Sequence, residues 1–93
     1  MSETVSPLEA AVAALLASLP EIQIAGLTHA SDDEISLFHY CTGPRLEETF
    51  GLNADSPLAQ AFRAEGISTP AGMSFILLLE LRATCRKPRI VVG

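Results

Sequence analysis

The chain has 93 residues, enough for one small domain and too few for two, and 48% of them are hydrophobic against 18% charged. That composition excludes a disordered chain, and no apolar run approaches the ~20 residues of a membrane-spanning helix. Net charge is -5 but unevenly spread: residues 1–55 carry nine carboxylates against Arg45 alone, whereas residues 56–93 carry five basic side chains against Glu65 and Glu80, so the two halves can attract each other.

The first residues, "MSETV", lack the basic start of a secretory signal; residues 1–5 are expected to be flexible and the protein cytosolic. Ser6 begins a well-marked helix: it can cap, Pro7 suits the first helical position, and Glu9 completes a capping box. Leu8, Ala11, Val12, Leu15, Leu16 and Leu19 recur at helical spacing as a core-facing stripe, and Pro20 ends it. The opposite face carries Ala10, Ala13, Ala14 and Ala17 in two adjacent rows. Alanine is the best helix former, which accounts for such a face by propensity alone. A face of small side chains also admits a second backbone, and these four alanines are therefore candidates for an interface with a second copy in a two-fold dimer.

"EIQIAGLTHA" and "ISLFHYC" read as two strands joined by a polar "SDDE" turn, with apolar residues on both faces of the hairpin. "GPRLEETFG" reads as one or two helical turns with Leu46 and Phe50 on one side. "SPLAQAFRAEG" is a clearer helix, capped by Ser56, started by Pro57, lined by Leu58, Ala61 and Phe62 and closed by Gly66. Residues 69–87 carry mixed signals. Thr69–Pro70 resembles a helix start and the composition favours helix, yet Leu79, Leu81, Ala83 and Cys85 alternate with Glu80, Arg82, Thr84 and Arg86. Gly72 also weakens a helix. The alternation favours a strand over 73–86, with "RIVVG" returning as a short partner after the "KP" turn. The fold expected is α+β: helix, hairpin, helix and strands, with helices on a small, mainly antiparallel sheet in one domain spanning 1–93.

Candidate chemistry gathers in "THASDDEISLFHYC". A metal needs three or four ligands converging on one ion, and neither register of the expected hairpin brings His29, His39 and Cys41 together, so no metal is expected. His39 and Cys41 share a face of the expected strand, where a distant Cys85 is the one residue that could join them as a metal-binding trio, and His39, Tyr40 and Cys41 are the candidate lining of a small-molecule pocket. A Cys–His nucleophile lacks an orienting third group, Asp32 to Glu34 read as a solvated loop, and no glycine loop suited to phosphate is present. "RATCRKPR" is a poor nucleic-acid footprint in an acidic chain without interleaved aromatics, so nucleic acid is not expected as a partner. With only Cys41 and Cys85 there is no disulfide framework.

The stretch "ISLFHYCTGPRLEETFGLNADSPLAQAFRAEG" resembles the middle of a GAF domain, in its strand, Gly-Pro-led turn and Ser-Pro-Leu-Ala-x-Ala-aromatic-Arg helix closing at glycine. The order of elements is also similar to roadblock-type domains. The chain lacks the long ligand-covering segment of GAF domains. The resemblance implies a regulatory module without catalysis. The expectation is a small cytoplasmic regulatory or adaptor protein, not an enzyme, acting without cofactor through protein–protein contacts and as a homodimer. The alternatives are a small-molecule sensor using His39, Tyr40 and Cys41, or a phage-like inhibitor whose acidic half blocks a basic partner.

Overall fold

The computed structural model describes residues 6–86, and the expectations for residues 1–5 and for "RIVVG" lie outside that range. Five helices are formed among the described residues: α1 (Pro7–Ser18), α2 (Glu21–His29), α3 (Asp32–Thr49), α4 (Pro57–Ala64) and α5 (Pro70–Arg86). No strand occurs among them, so the α+β fold, the hairpin and the sheet are corrected to an all-helical domain. A GAF-like or roadblock-like layout, which needs a sheet, falls with them.

The first helix forms as its residues dictate. Ser6 accepts from the Glu9 amide at 3.1 Å while Glu9 accepts from the Ser6 amide at 3.2 Å. Ala11 and Val12 are buried, and Leu8, Leu15, Leu16 and Leu19 pack on the core beside them. The stripe meets α5 and α4 rather than a sheet.

The correction over 21–49 has a local cause. "SDDE" is a second capping box, not a turn: Ser31 accepts from the Glu34 amide and Glu34 accepts from the Ser31 amide at 2.8 Å. Asp32, Asp33 and Glu34 then lie in the first turn of α3, where carboxylates oppose the positive end of the helix dipole. Ile35 and Leu46 mark the inward face of α3, with Phe38 packed between them. The helix runs on through Gly43 and Pro44, where a new start had been expected. Proline removes the donor for the Tyr40 carbonyl and costs about 3 kcal/mol in a helix interior. Burial of Ile35, Gly43 and Leu46 along the same helix offsets that cost.

The helix end expected at Gly66 is present, and a second of the same kind follows α3. After α4, Gly66 has φ +91°, and the amides of Gly66 and Ile67 donate to the carbonyls of Arg63 and Phe62. After α3, Gly51 has φ +62°, and Gly51 and Leu52 donate to Glu48 and Glu47. Each is a left-handed C-terminal cap, which glycine alone adopts without steric cost.

The strand expected over 73–86 is helix α5, the centre of the molecule. The Thr69 hydroxyl accepts from the Gly72 amide at 3.1 Å, and a Cβ at Gly72 would lie 2.9 Å from that hydroxyl, so glycine there makes room for the cap. Met73, Ser74, Leu77, Leu78 and Leu81 are buried, a helical set of spacings, while Ala83 is exposed and Leu79 is only half-buried. Helices α1, α2, α3 and α4 all pack against α5. A helix covered on most sides needs no polar face, and so shows no clear period in its sequence.

Candidate functional site

The alanine face of α1 is where the sequence places it. Ala10, Ala13, Ala14 and Ala17 are all exposed, opposite the buried stripe. Ala10 and Ala14 form one wall of an open groove of about 610 Å³, whose other wall is the end of α3 and the start of α4, at Phe50, Gly51, Pro57 and Leu58. Ala13 lies on the other flank of α1, beside Glu80 and Thr84 of α5.

The trio His39, Tyr40 and Cys41 does not converge. Successive helical residues turn by about 100°, so what a strand would have put on one face a helix disperses. His39 points inward: its Nε2 lies 2.7 Å from Ser74 Oγ, and its ring meets Phe75 edge-on at 5.3 Å between centroids. Ser74 is fully buried, and its hydroxyl donates its single proton to the Ala71 carbonyl at 3.0 Å. The His39 Nε2–H is therefore the donor to Ser74. Gly43, one turn on, leaves space for the imidazole, since a Cβ there would stand 3.1 Å from Nε2. These residues form a polar tie between α3 and α5, not a pocket. Tyr40 and Cys41 face outward, and Cys85 sits at the far end of α5, so the possible trio of His39, Cys41 and Cys85 is not assembled. Among the described residues no three His, Cys, Asp or Glu side chains stand where they could hold one metal ion.

Outward-facing apolar residues were missed as a group. Leu37 and Tyr40 are 66% and 82% exposed, and with Cys41 and Pro44 they form one solvent-facing stripe on α3. Ile22 of α2 is 81% exposed. The signal was present at positions 37, 40, 41 and 44, but it becomes a stripe only when the segment is read at helical period.

The basic cluster near the C-terminus is partly structural. Arg82 donates to the Ala30 carbonyl and to Asp32 Oδ1, and Arg86 donates to the carbonyls of Thr28 and Ala30. Two guanidinium groups of α5 thus close the C-terminal end of α2, where cations oppose the dipole. Arg82–Asp32 is also an instance of the attraction between acidic and basic halves. Arg63 pairs with Asp55 at 2.6 Å. Arg45 forms no ion pair or hydrogen bond within the described residues.

Between α1, α3 and α5 lies an apolar cleft of about 370 Å³. Leu15, Leu19, Phe38, Leu46, Leu78 and Leu81 wall it, and Arg45 and Gln23 stand among its polar lining. No described helix is long and apolar enough to cross a membrane. No curated protein and no solved structure matches the chain. A family model matches residues 6–84, from the cap of α1 to the last turn of α5, and the chain belongs to that family, DUF6794, a domain of unknown function.

Proposed function

We propose that this chain is a small non-catalytic adaptor that works through protein–protein contact, with a second copy of itself as its first partner. The observation that carries the reading is the outward stripe of α3. Large apolar side chains gain about 1.5–3 kcal/mol each on burial, and Leu37 and Tyr40 forgo most of that gain in the isolated chain. Contiguous exposed apolar surface of this kind marks interaction sites. The stripe itself carries no charge, nor do the four exposed alanines of α1, so in a chain with net charge -5 these positions offer uncharged contact surface, with Glu9, Glu48 and Glu80 at the edges of the alanine face.

The α3 surface is tested by affinity capture from the source cell with wild type and with Leu37→Glu/Tyr40→Glu. Both positions are exposed and glutamate favours helix, so the variant folds. A stoichiometric protein recovered with wild type and lost with the variant, at unchanged circular dichroism, supports the reading. Equal recovery by both removes the stripe from it.

A further inference from the structure

The cleft between α1, α3 and α5 has features that neither the adaptor surfaces nor the packing of the core requires. Its walls are aliphatic and aromatic, contributed by Leu15 and Leu19 of the α1 end, Phe38 and Leu46 of α3, and Leu78 and Leu81 of α5. Its volume, about 370 Å³, falls at the small end of the range for ligand pockets, which combine apolar walls with a few placed polar groups. The cationic group in its lining is Arg45, the one basic residue in the first 55. Glu48 follows Arg45 at a spacing that commonly pairs on a helix, yet among the described residues the guanidinium has no carboxylate within ion-pair distance.

We infer that this cleft binds a small amphipathic monocarboxylate, an unbranched acid whose chain lies between the leucines and whose carboxylate meets Arg45. A guanidinium presents parallel N–H donors that match a carboxylate in bidentate geometry. Among the described residues the cleft lining holds a single cationic side chain, so a monoanion is matched where a dianion would be left partly uncompensated. An amphiphilic amine would set a second cation against Arg45. Gln23 and Thr49 supply neutral polar groups to the same lining.

The test is titration of the isotopically labelled chain with octanoate, 1-octanol and acetate, followed by backbone and methyl chemical shifts. Octanoate is expected to give saturable one-to-one changes centred on Leu15, Thr42, Leu46 and Leu78. Octanol, which keeps the chain and loses the charge, and acetate, which keeps the charge and loses the chain, should each bind at least about tenfold more weakly. Arg45→Gln, at an exposed position, should fold as wild type and weaken octanoate about tenfold while leaving octanol unchanged. Octanoate shifts that fail to saturate, that fall on the outer faces of α1 or α3, or that Arg45→Gln leaves at full affinity would overturn the inference. So would cleft shifts that appear on raising protein concentration alone, since these would assign the cleft to a second copy of the chain.

Discussion

Ser31 and Glu34 fix the start of α3 through a reciprocal pair of hydrogen bonds, and the pair has a charge consequence. The Ser31 amide and then its hydroxyl favour the ionised Glu34, holding its carboxyl below the usual glutamate value. A carboxyl with a lowered pKa adds stability above its unfolded value and loses it as pH falls through the folded one. Urea midpoints measured from neutral to acidic pH should therefore show wild type exceeding Glu34→Gln near neutrality, with the gap closing as acid protonates Glu34. Ser31→Ala should cost about 1 kcal/mol, because it leaves the Glu34 amide without its cap. Gly43 is the other sensitive residue. Alanine there would press its Cβ to 3.1 Å from His39 Nε2 and 3.2 Å from Cδ2, in a place where the ring is held by Ser74 and Phe75. Overpacking of this kind costs about 1–3 kcal/mol. Gly43→Ala should lower the urea midpoint and displace the His39 ring resonances. Gly26→Ala, with nothing within 4 Å of the new Cβ, should leave the core untouched and gain helix propensity.

The helices differ in how plainly they are written. Each of α1 and α4 carries its own beginning and end, a serine cap with proline after it and a stop beyond, and both were readable from Ser6, Pro20, Ser56 and Gly66 alone. For α2 and α3 the type was misread because Ile22 and Ile24 mimic strand alternation, while the "SDDE" box looks like a polar turn to a reader expecting strands. The local chemistry for helix was in the sequence, in the same Ser-x-x-Glu form as Ser6 to Glu9. For α5 it was less so. Its burial on several sides erases the amphipathic period, and only the packing of four other helices around it distinguishes a buried helix from a strand at Leu79 to Arg86. The candidate site follows the same division. The alanine face of α1 was legible because that helix was, whereas the grouping of His39, Tyr40 and Cys41 failed with the strand that supported it. Arg82 and Arg86 are the clearest expression of tertiary structure overriding local signal, since their targets at Thr28 to Asp32 lie about fifty residues away. Hydrogen bonds from charged groups contribute about 1.5–3 kcal/mol when shielded from water. Arg82→Gln with Arg86→Gln should free the end of α2, and hydrogen exchange should quicken at Leu27 to Ala30 before it does in α5.

The described residues, 6–86, form a slab. Its principal extents are 41 × 40 × 21 Å, and the thin dimension is about two helix diameters. Its radius of gyration, 13.7 Å, exceeds the roughly 12 Å of a compact domain of this length. Four helices set around α5 in so thin a body leave outer faces uncovered, and two of those faces are built of alanine and of Leu37, Tyr40, Cys41 and Pro44. A second slab laid on the first would cover such a face, and a two-fold pairing would let the same surface serve both copies. Sedimentation equilibrium over a wide concentration range, with wild type beside Ala13→Glu/Ala17→Glu, measures this directly. The account predicts about twice the 9.9 kDa chain mass for wild type and the single-chain mass for the variant, with helical circular dichroism unchanged between them. A wild type that stays at 9.9 kDa at every concentration, or a variant that keeps the doubled mass, would contradict it.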